Sequence, residues 1–126
     1  MLTDPAEVLA LAHLTLPQGV TGVTVTSKDD LIAEGYYYSY TVSWTGTIET
    51  TSQFLAEVGL SLEEIGTTDG FEELFLRNMS VKDIPHGSRG TSLPDFGPAR
   101  GYGDLWVLID GPDFTTVHVA VASFPM

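Results

Sequence analysis

The chain has 126 residues, of which 43% are hydrophobic, and a formal net charge of −12. This length is typical of a single domain, 1–126, that can bury enough apolar surface to fold without covalent crosslinks. The absence of cysteine excludes disulfide scaffolds, thiol nucleophiles and cysteine zinc sites, and the excess of 17 acidic over 5 basic residues argues against nucleic acid and anionic lipid as partners.

The first predicted elements are a short helix and a strand. Asp4, Pro5 and Glu7 have the spacing of a helix start, with a side-chain cap, a proline in the first turn and a reciprocal carboxylate. The helix is expected to run to about His13. Glycine-containing residues 19–22 then form a turn before the alternating residues 23–28, which predict a strand.

Residues 35–47, GYYYSYTVSWTGT, form the strongest strand pattern in the chain. Successive side chains of a strand point to opposite faces, so one face here is rich in hydroxyl groups and the other is aromatic and apolar. The aromatic face carries Tyr36, Tyr38, Tyr40, Val42 and Trp44. It could be an open stacking platform for sugars or aromatic ligands, but the helices that follow need a partner face, which favours a place in the core.

Helical signals fill the middle of the chain. Thr50 with Gln53 has the spacing of a capping box, and Gly59 supplies a stop. A second helix is predicted after Asp69, carrying Phe71 and Phe75 on its apolar side.

Segment 80–102 contains three prolines and several glycines without periodicity, which predicts a long loop. Residues 105–109, LWVLI, and 115–124 then form a terminal hairpin.

These elements predict an α+β domain with a mainly antiparallel four-stranded sheet and helices packed on one face. The four strands are 23–28, 36–45, 105–109 and 115–124. Because LWVLI is apolar on both faces, the second face also needs cover, either from the loop or from another subunit, so a dimer through an apolar sheet face is one expectation.

The predicted loop concentrates polar groups that could bind a ligand. It holds three of the five basic residues together with a histidine and a serine: Lys82, Arg89, Arg100, His86 and Ser88. Guanidinium groups can grip a carboxylate or phosphate bidentately, or the same bases can pair with the acidic half of the chain and hold the loop down. The leading hypothesis is a non-catalytic binding or protein-interaction domain with segment 80–102 as its contact surface, for a protein partner or a small anionic ligand.

Two other functions stay open. An acidic inhibitor or immunity-type protein could cap a basic partner through residues that include Asp29, Asp30, Glu63, Glu64, Glu72 and Glu73. A small hydrolase could use His86 and Ser88, although a serine nucleophile needs a base within reach and a third group to orient that base, and no GxSxG turn is present. No cofactor or metal site is predicted, because the three histidines are far apart and lack metal-ligand spacing.

Three stretches, LTLPQGVTGVTVTS, TTSQFLAEVGLS and DLWVLIDGPDFTTVHVAV, resemble small uncharacterised extracytoplasmic or lipoprotein-like domains of actinobacteria. The resemblance covers most of the chain and implies an exported or membrane-tethered domain without naming a catalytic residue. The chain differs from that pattern in lacking a signal peptide and a lipid-carrying cysteine, and it has no apolar run of about 18 residues that could span a membrane. Its expected compartment is the cytoplasm or, as a mature form, the extracytoplasmic space.

Overall fold

A computed structural model describes residues 3–27, 38–68, 73, 75–76, 79, 81, 83–94 and 103–123. Its elements in chain order are helix α1 (Pro5–Ala10), strand β1 (Thr21–Ser27), strand β2 (Tyr38–Thr45), helix α2 (Ile48–Val58), a 3₁₀ turn (Leu62–Glu64), strand β3 (Arg89–Pro94), strand β4 (Gly103–Ile109) and strand β5 (Thr116–Ser123). None of the helices in these ranges has the length and apolar character needed to cross a membrane.

The strands form one antiparallel sheet in the order β1-β2-β5-β4-β3. β1 pairs with β2, the terminal β4–β5 hairpin is as predicted, and the α+β class is confirmed. The predicted number of four strands is wrong, because Arg89–Pro94 adds a fifth strand within segment 80–102, which was predicted to be a loop. The sequence RGTSLP has no alternating apolar pattern, so its extended structure comes from pairing with β4.

Both helices begin with a side-chain cap. The Asp4 carboxylate accepts a hydrogen bond from the Ala6 N–H at 2.9 Å, as expected, but α1 ends at Ala10, three residues before the predicted end. At α2 the predicted capping box is displaced, because Thr47 is the cap and Thr50 is its partner. The Thr50 hydroxyl, at the third helical position, accepts a hydrogen bond from the Thr47 N–H. Glutamate or glutamine is the usual residue at this position of a capping box.

The main core lies between the two helices and one face of the sheet. On β2, Tyr40, Val42 and Trp44 are buried, and the rings of Trp44 and Phe54 meet edge to face with 5.0 Å between their centroids. The prediction that the aromatic face is core is therefore confirmed for these residues. Tyr36 and the side chain of Tyr38 lie outside the part of the chain that the structure describes.

A second, smaller buried cluster lies on the opposite face of the sheet. Phe75, which is helical, and Met79 form a smaller buried cluster with Leu108 and Ala120. The Phe75 ring meets Trp106 edge to face at 5.5 Å. The prediction of helices on one face only is therefore wrong. LWVLI is apolar on both faces, and Phe75 and Met79 cover part of this second side.

Candidate functional site

A tight turn over residues 85–88 is the best-defined part of the segment that was expected to carry function. The Ser88 hydroxyl is buried, donates to the Pro85 carbonyl at 2.6 Å and accepts from the Gly111 N–H at 2.9 Å. Gly87 has a φ of 85°, a backbone conformation that glycine adopts without steric cost. The turn is thus fixed to the hairpin between β4 and β5.

A cleft of about 380 Å³ lies beside this turn, and its lining combines hydroxyl groups and one imidazole with the apolar side chains of Ile84 and Pro85. The lining residues are Thr67, Thr68, Ile84, Pro85, His86, Gly87 and Ser88. The side chain of His86 is exposed, whereas Thr68 is buried. A second cleft of about 320 Å³ shares Thr67 and is otherwise lined by Gly66, Phe75, Gly90, Thr91, Ser92 and Trp106.

Arg89, for which both anion binding and internal pairing were open, has internal partners in the structure. Its Nη1 donates to the Leu62 carbonyl at 2.7 Å, and its guanidinium lies 5.4 Å from the centroid of the Phe114 ring. These contacts are on the main-core side of the sheet, and Arg89 lines neither cleft. The structure therefore does not bring Arg89 to His86. Lys82 and Arg100 lie outside the described residues.

Ser88 stabilises the turn through its hydrogen bonds to Pro85 and Gly111. Its proton is directed to the Pro85 carbonyl, and no hydrogen bond between His86 and Ser88 occurs among the described residues. A serine without a base at its hydroxyl is a poor nucleophile. The geometry thus lends no support to the hydrolase hypothesis built on this pair.

The acidic residues proposed for partner binding are partly within the described structure. Glu63 and Glu64 are exposed in the 3₁₀ turn, where the Ser61 hydroxyl donates to Glu64 Oε1 at 2.9 Å, and Glu73 is also exposed. The other three, Asp29, Asp30 and Glu72, lie outside it. The acidic-inhibitor hypothesis stays a prediction.

One polar cluster was missed from the sequence. Ser43 Oγ lies 2.7 Å from His118 Nδ1, and His118 Nε2 lies 3.1 Å from Asp110 Oδ2. Ser43 and His118 are distant in the sequence, and only the strand register shows that they are opposite one another. Within the described ranges no group of three or more potential ligands is placed to hold a metal ion.

Comparisons of the chain with protein-family models, with curated proteins and with solved structures found no match. The resemblance to actinobacterial extracytoplasmic domains therefore stays a prediction.

Replacing Ser88 with alanine is expected to lower the free energy of unfolding by about 2 kcal/mol. The change removes two hydrogen bonds and leaves the part-buried Gly111 N–H without its partner. An unsatisfied buried group costs roughly 1–3 kcal/mol. Urea unfolding of the purified variant measures the loss. Ser52→Ala, at an exposed position of α2, is the matched control and should change stability by less than about 0.5 kcal/mol. Equal values for the two variants would contradict the anchoring role of Ser88.

Proposed function

We propose that the protein is a binding domain and that the cleft beside the 85–88 turn binds a small anionic ligand through a carboxylate or phosphate group. The observation that carries this proposal is the composition of the lining. The chain has 17 acidic residues, yet within the described ranges no carboxylate is among the residues that line the cleft. On this described part of the wall a small anion therefore meets hydroxyl groups and an imidazole.

The lining side chains match this ligand class. Thr67, Thr68 and His86 carry groups that can donate hydrogen bonds, and donors directed at an ionised acceptor make stronger bonds than neutral pairs. The cleft volume of about 380 Å³ is at the lower end of the roughly 300–1,000 Å³ of small-molecule sites. The expected ligand is accordingly small.

The cleft wall is also fixed before a ligand arrives. The Ser88 hydroxyl joins the turn to Gly111, and the Gly90 N–H donates to the Gly66 carbonyl at 3.2 Å, which ties the chain just before Thr67 and Thr68 to β3. A wall that is already ordered loses less conformational entropy on binding. This arrangement favours binding without chemistry at this cleft.

The test is a titration of the ¹⁵N-labelled protein with inorganic phosphate and with acetate, followed by amide chemical shifts. We expect saturable shifts at Thr67, Thr68 and Gly87. His86→Asn should weaken binding about tenfold, because a charge-assisted hydrogen bond contributes roughly 1.5–3 kcal/mol. The control is His13→Asn, an exposed histidine that does not line the cleft.

Two results would count against the proposal. One is a set of shifts that is small, unsaturable and scattered over the surface. The other is an equal loss of affinity in His86→Asn and His13→Asn, since that would report only the removal of a histidine from an acidic protein.

A further inference from the structure

We infer that Ser43, His118 and Asp110 form a second site, separate from the cleft, in which Ser43 can act as the nucleophile of ester hydrolysis. The three side chains lie on the sheet face opposite the main core. Ser43 and His118 are directly opposed residues of β2 and β5, and Asp110 follows the last residue of β4. None of them lines either cleft.

The hydrogen-bond directions follow from the chemistry of the carboxylate. An ionised carboxylate can only accept, so Asp110 Oδ2 accepts a hydrogen bond from the N–H at His118 Nε2. In the neutral imidazole the other nitrogen, Nδ1, is then an acceptor, and the Ser43 hydroxyl donates to it across 2.7 Å. This is the direction in which a base takes the proton of a nucleophilic serine. Compared with serine proteases, the two ring nitrogens have exchanged partners.

The backbone holds the three groups in place. Ser43 and His118 belong to an unbroken series of pairs between β2 and β5, and the Asp110 N–H donates to the Thr116 carbonyl at 2.9 Å. The Asp110 carbonyl in turn accepts from the Phe114 N–H at 3.0 Å. Reactive groups held in regular structure need little reorganisation before they react.

The surroundings combine access with partial burial. The side chains of His118 and Asp110 are 13% and 23% exposed, and the register partner of Ser43 on β1 is the exposed Thr24. Asp110 Oδ1 is shielded from solvent and has no hydrogen-bond partner among the described residues. The positive charge that His118 gains with the serine proton would therefore form beside a partly desolvated carboxylate, where charges attract more strongly than in water.

The reaction has two balanced stages. Ser43 Oγ forms a bond to the carbonyl carbon of an ester while its proton moves to His118 Nδ1, and the carbonyl electron pair moves to its oxygen. The bond to the leaving alcohol then breaks, and His118 returns the proton to that alcohol. Water attacks the acyl-serine in the same way, giving a carboxylic acid and restoring Ser43.

The expected substrates are small esters with good leaving groups. Ser43 lies on a sheet face and lines neither cleft, so neither of the two clefts can hold a large acyl group beside it or strain an amide. A phenyl ester with an activated leaving group requires little assistance when the bond to its alcohol breaks.

The experiment is active-site labelling of the full chain with a fluorophosphonate, followed by peptide mapping. A parallel assay follows the hydrolysis of p-nitrophenyl acetate. We expect covalent modification at Ser43 in the unaltered protein, no modification in Ser43→Ala, and a loss of about 100-fold or more in both rates in His118→Gln. Asp110→Asn should cause a smaller loss, because Asp110 positions His118 and does not touch the substrate. Ser52→Ala, with its serine on the exposed side of α2, should behave as the unaltered protein does.

Peptide mapping of the unaltered protein keeps the test valid even if a variant fails to fold. Absence of label at Ser43, under conditions that label a known serine hydrolase, would overturn the inference. Label at Ser43 that persists at the same rate in a folded His118→Gln protein would also overturn it, because His118 would then not be the base. Neither result bears on anion binding at the cleft, which contains none of these residues.

Discussion

Replacing Trp44 with alanine is expected to lower the free energy of unfolding by about 4 kcal/mol. Trp44 is 1% exposed on the core face of β2 and contacts the ring of Phe54 edge to face. Removing a buried aromatic side chain costs roughly 3–5 kcal/mol, from lost transfer free energy and from the cavity that stays behind. Of the buried side chains, Trp44 is the largest. Equilibrium unfolding in urea, followed by far-ultraviolet circular dichroism, measures the change.

Two controls separate lost volume from other effects. Trp44→Phe keeps an aromatic ring and removes the indole N–H, which is buried without a hydrogen-bond partner among the described residues, so its loss should be less than half that of alanine. Ile48→Ala removes a large apolar side chain that is 44% exposed at the start of α2 and should cost less than about 1 kcal/mol. A loss in Trp44→Ala no larger than that in Ile48→Ala would contradict the place of Trp44 in the core.

The parts of the fold that the sequence predicts well are those in which local pattern and burial agree. Tyr40, Val42 and Trp44 alternate with polar residues, and this period determines which face of β2 is buried. Gly59 ends α2 in the left-handed conformation, as its position predicted. Each of these features depends on residues that are close in the chain, so a sequence pattern contains the information needed.

The fifth strand could not be predicted in this way. Arg89–Pro94 contains a glycine and a proline and no alternating apolar residues. It is extended because β4 offers an edge for pairing and because Gly90 leaves room for the Phe75 ring, which a Cβ at that position would overlap. Both causes involve residues that are distant in sequence. The packing of Phe75 on the face opposite the main core depends on distant residues as well, since it contacts Leu108 and Ala120.

The same distinction between local pattern and long-range contact applies to the candidate sites. The sequence indicates the segment with His86 and Ser88 as a candidate site, because proline, glycine and polar residues concentrate there. It could not show that Ser88 is hydrogen-bonded to Gly111, which is 23 positions away, or that Arg89 donates a hydrogen bond to the Leu62 carbonyl, 27 positions earlier. Ser43 and His118 are 75 positions apart and meet only through the register of β2 and β5. Contacts of this kind follow from topology, which local patterns do not specify.

The contact between the 85–88 turn and the hairpin also makes Gly111→Ala a severe change, with an expected loss of about 3 kcal/mol. A Cβ at Gly111 would lie 2.6 Å from the Ser88 backbone nitrogen and closer still to the carbonyl of Gly87. These are backbone atoms, so no side-chain rotation relieves the overlap, and one of the two turns must move. Overpacking typically costs 1–3 kcal/mol, and a collision with backbone belongs at the upper end of that range.

Gly66→Ala is the matched control for this change. A Cβ at Gly66 meets nothing within 4 Å, so this variant should retain full stability or gain up to about 1 kcal/mol. Both variants lower the entropy of the unfolded chain in the same way, and the difference between them in urea unfolding therefore measures the collision alone. Ser88, which lines the cleft, accepts a hydrogen bond from the Gly111 N–H. We therefore expect the folded fraction of Gly111→Ala to bind phosphate more weakly as well. Equal stability of the two variants, with unchanged amide shifts at Gly87, would show that the turn does not rest on the hairpin.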